Sequence, residues 1–505
     1  MVELRFAQQA ENLHLELFNK SDSSIGEMLF LDMMSDKLDM EKKYLKKMQT
    51  RRDFINLKDV ILPYIKFETD EFNSVLEFFK EQTITEATKD ALKHCLIFDG
   101  MDYFYGLGGL HAARGNSIFQ SDEDNIILSV DFASFYPNIS IKNKFYPEHL
   151  SESFCILYEE LFEKRKLIPK SNPQNTAIKL LLNATFGKAG DEYSFLYDKF
   201  FQMAITVNGQ LILSMLCEQL SKIEGVRMVM ANTDGCELIV PKSKKREVYN
   251  VCLGIEELTQ LQLEYDVYNK LFVRDINNYL SVNTKGKVKT KGAFDIDLEL
   301  HKNRSERIVP LAVKRYFVNN IPVEETVKNH LSSENYEDLE NQGIYDFCIG
   351  KKIQSNQNYT IEDSGENIIK NIKDKVIRFY VSTDGDYLKK NYSDGRKEIT
   401  VGGNKMTMFM DYYDSENYNV DYDYYINQAY KIIHNVDGTA EKLEQEAKEK
   451  REQAKKDKEY ENYKKYCLDK VPTNRQREMY SKSWLIEKYG NPSEIKPSKI
   501  KESTQ

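Results

Sequence analysis

The sequence has few of the features that mark a secreted or membrane-spanning chain. It holds one tryptophan in 505 residues, and its seven cysteines are scattered with no C-x-x-C pair. That spacing argues against a disulfide framework and against a cysteine zinc site. No run of apolar residues approaches bilayer-spanning length, and the start, M-V-E-L-R-F, lacks a signal pattern. A reducing, cytoplasmic setting with no membrane partner is the expectation. No internal repeat is visible. Basic residues are outnumbered, 71 Lys and Arg against 80 Asp and Glu, for a net charge of −9. The net value decides nothing about a nucleic-acid partner, because local patches set the field that a phosphate backbone meets. Acids crowd Asp411–Asp423, while bases gather at Lys285–Lys291, Lys314–Arg315 and Lys351–Lys352.

The length fits roughly three domains at about 150 residues each. Residues 1–60 read as helical and charged, with no evident core of their own. N-I-I-L-S-V-D-F, Asn125–Phe132, reads as a buried strand ending on an acid. Helical patterns follow at Glu152–Leu167, Gln174–Phe186 and Phe200–Lys222, and again at Lys244–Leu261. Between the last two, R-M-V-M-A-N-T-D-G-C-E-L-I-V (Arg227–Val240) is a hairpin with Asp234 at its tip. Antiparallel strands with helices on one face define an α+β class. From Ser305 the chain reads as mostly helical or irregular, and Thr439–Tyr466 as a solvated charged helix or tail.

Two acids, Asp131 and Asp234, stand at the ends of core strands. Each alone is an ordinary strand or turn cap. Together, without a basic neighbour in sequence, they call for neutralisation, and hard oxygen ligands select magnesium or manganese. Behind Asp131, F-A-S-F-Y-P-N-I-S can turn backbone amides toward an anion. In K-L-L-L-N-A-T-F-G-K, the i, i+4, i+7 spacing puts Lys179, Asn183 and Phe186 on one helical face, a cation, an amide and a ring suited to a nucleotide. An ordinary amphipathic helix would show the same spacing.

D-F-A-S-F-Y-P-N-I, K-L-L-L-N-A-T-F-G and A-N-T-D-G-C, in that order, resemble the three polymerase motifs of family B DNA polymerases, in a form similar to that of bacteriophage members. The resemblance covers roughly Tyr103 to Asp437. It implies a right-hand fold: an antiparallel palm sheet with helices on one face, α-helical fingers and a mostly helical thumb. The implied boundaries are an N-terminal region at 1–100, palm at 101–150, fingers at 151–190, palm again at 191–300, thumb at 301–438 and a charged tail at 439–505. It also implies a DNA-templated DNA polymerase extending a primer 3′-hydroxyl with dNTPs, located in the bacterial host cytoplasm.

In that reading Asp131, Asp234 and the Phe132 carbonyl bind two Mg2+ ions, with Mn2+ as a substitute. Ser134 and Phe135 amides cradle the triphosphate, and Tyr136 is the sugar gate. Lys179 contacts the triphosphate and protonates pyrophosphate, with Asn183 beside it. Arg165 is the candidate upstream cation, with Lys166 and Lys170 as competitors. Phe186, Gly187 and Thr233 face primer-template DNA. K-V-K-T-K-G and R-Y-F place Lys289, Lys291 and Arg315 on duplex phosphates. Y-G-L-G-G-L-H resembles a template-contacting glycine motif, or is a plain glycine turn.

The pattern departs from the family at several positions. Asn232 replaces the first acid of the usual D-T-D turn, Phe186 replaces a tyrosine, and Asn277 stands where a primer-gripping lysine is usual, leaving Lys289 or Lys291 to take over. Nothing before Asp131 is long enough for an exonuclease domain, so proofreading is expected from a separately encoded exonuclease or other replication proteins. These departures keep a rival open: a catalytically silent palm binding primer-template DNA as a replication scaffold.

Overall fold

The computed structural model describes residues 20–85, 92–296, 305–332, 342–352, 358–362, 370–372, 376–392, 394–409, 418–440, 442, 448–455 and 457–458. The chain divides into two compact units, Met1–Asp437 and Gly438–Gln505. In the second, residues 448–455 are helical and exposed. Much of the expected tail helix, and positions 411–417 of the acidic stretch, lie outside the described residues.

The first unit begins with α1 (Asp22–Leu38), capped by the Ser21 hydroxyl, which accepts the Ser24 N–H at 3.2 Å. Helix α2 (Asp70–Glu81) follows and buries Phe72, Val75, Leu76 and Phe79. Ten strands then build one antiparallel sheet. They are β1 (His94–Phe98), β2 (Met101–Tyr105), β3 (His111–Ala113), β4 (Ser117–Gln120), β5 (Asn125–Phe132), β6 (Arg227–Asn232), β7 (Gly235–Pro241), β8 (Leu263–Asp275), β9 (Asn278–Asn283) and β10 (Val288–Lys291). Their spatial order is β10-β9-β8-β5-β7-β6-β3-β2-β1, with β4 on β8. Helices α3 (Phe135–Asn143), α4 (Ser153–Lys166), α5 (Pro173–Lys188) and α6 (Lys199–Ser221) fill the interval between β5 and β6, and α7 (Lys245–Thr259) joins β7 to β8.

Strand alternation sorts the sheet into two faces. Leu128, Val130 and Phe132 of β5 join the core formed with α3 and α6. Ile127 joins a smaller cluster with Tyr268, Leu271, Val273 and Tyr279 on the other face, and Ser129 and Asp131 share that side by parity. The main core runs through the 23-residue α6, whose most apolar 18-residue window has a mean hydropathy of 1.4, long and apolar enough by composition to cross a membrane. Polar Gln202, Asn208, Gln210 and Glu218 interrupt it, so it holds no apolar run of bilayer-spanning length. The reason for its composition is burial: 89% of that apolar window is inside the fold, with packing on all sides.

The largest correction falls between 305 and 438. Helices α8 (Ile308–Asn319), α9 (Val323–Asn329) and α10 (Tyr422–Val436) are present, but so is a six-stranded antiparallel sheet. It comprises β11 (Ile349–Lys352), β12 (Asn358–Glu362), β13 (Lys370–Ile372), β14 (Val376–Asn391), β15 (Lys397–Ile399) and β16 (Met406–Met408). The region is therefore not mostly helical. The 16-residue β14 organises it by pairing with β15 in a local hairpin and with β11, β12 and β16 from more distant stretches.

Candidate active site

The β6–β7 hairpin turns through Thr233, held left-handed at φ 61°, with the Asp234 N–H donating to the Asn232 carbonyl at 2.6 Å. Its turn is fixed from two sides. The Thr233 N–H donates to the Leu110 carbonyl at 2.8 Å, and the Phe132 N–H donates to the Asp234 carbonyl at 2.7 Å. Gly109 makes the first approach possible, since a Cβ there would lie 2.7 Å from the Thr233 hydroxyl oxygen. The glycine-rich Y-G-L-G-G-L-H stretch thus buttresses the hairpin. Gly235 makes the second approach possible: a Cβ there would collide with Asp131 Oδ1 and lie 2.7 Å from the Val130 carbonyl.

The two acids open into a cavity of about 1050 Å³. Burial raises the pKa of both carboxyls. Lys289 opposes that rise at Asp131, where the Asp234 charge adds to it. Lys289, Lys291 and Lys179 oppose it at Asp234. Neither acid has a salt bridge within 4 Å among the described residues. The Ser129 hydroxyl donates to Asp131 Oδ2 at 3.1 Å.

The opposite wall of the cavity comes from α3, α4 and α5. Ser134, at φ 47°, starts α3 without a side-chain cap, so the Phe135 and Tyr136 N–H groups have no intrahelical acceptor. Arg165 crosses from α4 and donates to the Ser134 hydroxyl at 3.1 Å. Lys166 instead pairs with exposed Glu163 at 2.8 Å, and Lys170 reaches toward Glu264 at 3.9 Å. Helix α5 starts on Asn172, which accepts the Gln174 N–H, with Pro173 at its first position. Its Lys179, Asn183 and Phe186 line the cavity together. Tyr136 packs on Phe186 with ring centroids 4.8 Å apart, and is backed by Gly209, where a Cβ would lie 3.0 Å from its ring.

Asp131, Phe132, Ser134, Phe135, Tyr136, Arg165, Lys179, Asn183, Phe186, Thr233, Asp234, Lys289 and Lys291 therefore border one space. Gly187 and Arg315 do not border it: Gly187 faces open space on α5, and Arg315 lies half-buried on α8. Asn232 is 9% exposed, with its amide donating to the Ile276 carbonyl at 3.1 Å and its Oδ1 accepting the Thr233 hydroxyl at 3.1 Å.

Sequence reasoning missed two residues here. Glu237 of β7 lies opposite Ser129 on the floor, fully buried, and burial together with the Asp131 charge pushes its pKa up to about 8. An acid inside the apolar run G-C-E-L-I-V was the available signal. Asn175 is the other: its side chain accepts the Arg165 Nε–H at 3.2 Å and donates to the Ile168 carbonyl at 2.8 Å.

Among the described residues no three His, Cys, Asp or Glu side chains could hold a metal by themselves. The donor set does fit a hard divalent cation shared with a ligand's own oxygens, which needs only one or two carboxylates from the protein. The cations and free amides opposite suit a polyanion.

The sequence is distantly similar to archaeal DNA polymerases. It is 24% identical over 208 residues to DNA polymerase 1 of Pyrococcus abyssi, a match spanning 33% of this chain and 27% of that protein. It is also 24% identical over 211 residues to the DNA polymerase of Thermococcus sp. strain 9oN-7, spanning 34% and 27%. The match thus takes in about a quarter of each relative's length. The solved family B DNA polymerase of Pyrobaculum calidifontis aligns with a TM-score of 0.35 at 16% identity, over 64% of this chain and 46% of that one. No protein-family profile matches the sequence.

Proposed function

We propose that the chain is a DNA-templated DNA polymerase of bacteriophage type, acting in the host cytoplasm, and that the cavity is its nucleotidyl-transfer centre. One observation carries this reading. Two carboxylates without a salt bridge among the described residues, half-buried Asp131 and Asp234 at the exposed hairpin tip, border a single cavity with Lys179, Arg165 and the N-terminus of α3. The similarity to archaeal DNA polymerases supports it. In a right-hand arrangement the ten-stranded sheet is the palm, α4 and α5 the fingers, and 305–437 the thumb.

Asp131 and Asp234, with the Phe132 carbonyl, would hold two magnesium ions, which neutralise phosphate charge and acidify the primer hydroxyl when bound. Lys179, Asn183 and the α3 amides hold the triphosphate so that the 3′-oxygen attacks the α-phosphorus in line. The Lys179 ammonium gives a proton to the departing pyrophosphate. Tyr136, wedged between Phe186 and Gly209, closes the space where a 2′-hydroxyl would sit. Thr233, Phe186, Gly187, Lys289, Lys291 and Arg315 contact primer-template DNA, and a separate exonuclease supplies proofreading.

Primer extension with the full chain, magnesium and deoxynucleotides tests the reading beside Asp234→Ala. Extension that falls at least about a thousandfold in the variant is expected, the scale of losing a group that acts in the transition state. No extension by the unmutated chain overturns it and leaves the silent scaffold.

A further inference from the structure

Helix α5 has two working faces. Lys179, Asn183 and Phe186 line the cavity, while Leu181, Ala184 and Thr185 are buried on the far side. Helix α1 covers part of that far side, at a separation only glycine permits. A Cβ added at Gly26 would lie 2.6 Å from the Ala184 Cβ and 3.2 Å from the Leu181 Cα. Neither neighbour is the end of a flexible side chain, so neither can swing away.

Independent contacts fasten the helices around this point. Glu27 accepts the Ser194 hydroxyl at 2.6 Å and pairs with Lys188, at the end of α5, at 3.5 Å. Lys37 pairs with Glu160 of α4 at 2.8 Å. The Phe30 ring meets Phe154 and Tyr158 of α4 edge-on, at 5.3 and 6.2 Å. The Tyr158 hydroxyl in turn donates to the Leu182 carbonyl of α5 at 2.6 Å. Thus α1, α4 and α5 form one three-helix pack. Where α5 stands relative to the Ser134–Tyr136 turn depends on what stands behind it.

We infer that α1 is a positioning element for the nucleotide side of the cavity, with Gly26 as its positioning residue. The close α1–α5 approach sets the depth at which Lys179 and Asn183 meet the phosphates of a nucleoside triphosphate. The inference rests on the polymerase reading for its ligand, but not for its packing.

The test uses the full chain carrying Gly26→Ala, alone and with Ala184→Gly. Three quantities are read: KM and kcat for deoxynucleotides in primer extension, and amide hydrogen exchange in α5. Overpacking by one methyl is expected to raise KM about tenfold, leaving primer-template affinity unchanged, and to speed exchange in α5. Ala184→Gly removes the methyl that the new Cβ meets, so the double variant is expected to recover most of the loss. Helix propensity alone predicts the opposite, because alanine favours a helix over glycine. Unchanged KM and exchange in Gly26→Ala overturn the inference, and so does a loss that Ala184→Gly fails to restore. If the unmutated chain extends no primer, the polymerase reading falls, while the exchange comparison still decides the packing.

Discussion

Two parts of the first unit hold carboxylates in the fold and treat the charge in opposite ways. In the C-terminal part, Asp346 is fully buried among donors: Arg307 Nη1 at 2.9 Å, His330 Nε2 at 2.7 Å and the Gln342 N–H at 2.8 Å. Burial pushes its pKa up, but His330, the Gln342 amide and Arg307 outweigh that and hold it below the ordinary value. On the cavity floor, Asp131, Asp234 and Glu237 lack such close partners among the described residues, and loss of solvation leaves all three raised, even at the exposed hairpin-tip Asp234. A carboxylate answered by the protein itself has a structural task. One left unanswered is open to a cation that arrives with a ligand.

The same substitution in both places is the strongest way to break this contrast. Asp346→Asn is expected to cost about 3–5 kcal/mol in urea melting, because it strips a counter-charge from buried Arg307. Asp131→Asn is expected to leave melting unchanged or raise it, while abolishing extension. Equal losses of stability would erase the distinction.

The pH dependence sharpens it at smaller amplitude. Glu237 binds its proton more tightly folded than unfolded, so its contribution to stability falls as pH rises from 4.5, its ordinary value, to about 8. Asp346 has the opposite sign: its contribution is full above the ordinary value of 3.8 and is lost as pH falls through and below it. Without divalent cations, the melting temperature of Glu237→Gln should therefore decline less between pH 5 and 8 than that of the unmutated chain, by roughly a few degrees. Parallel curves would remove Glu237 from the unanswered group.

The smallest expected effect is at Asn232. Its amide is committed to the Ile276 carbonyl, so Asn232→Asp should cost about 1–2 kcal/mol in melting while extension persists. Loss of extension on the scale of Asp234→Ala would instead make position 232 part of the metal site.

The floor acids and the α5 face were legible because each lies in a short, locally patterned stretch. The turn residues of A-N-T-D-G and the i, i+4, i+7 spacing from Lys179 to Phe186 carry their own geometry. The expected helices at 152–167, 174–186 and 200–222 form within a residue or two of those bounds for the same reason. Glu237 was not legible because its meaning depends on register: only its pairing opposite Ser129 brings it beside Asp131. Strand β14 was missed because three of its four partners are remote in sequence, and its own text, V-I-R-F-Y-V-S-T-D-G-D-Y-L-K-K-N, breaks alternation at Gly385. The tight seat of α1 on α5 was invisible for the related reason that a single glycine acquires its purpose from the helix opposite.

Gly235 carries one more consequence. With no side chain there, the Asp131 carboxylate rests directly against the hairpin, and the bond from the Phe132 N–H to the Asp234 carbonyl pins the two strands at the same level. The acids come from distant stretches of chain, yet mechanically they are one part. The register that sets Asp131 opposite Gly235 and the backbone bond beside it fix both carboxylates to one segment of sheet, with the helices on the opposite wall built from separate stretches of chain.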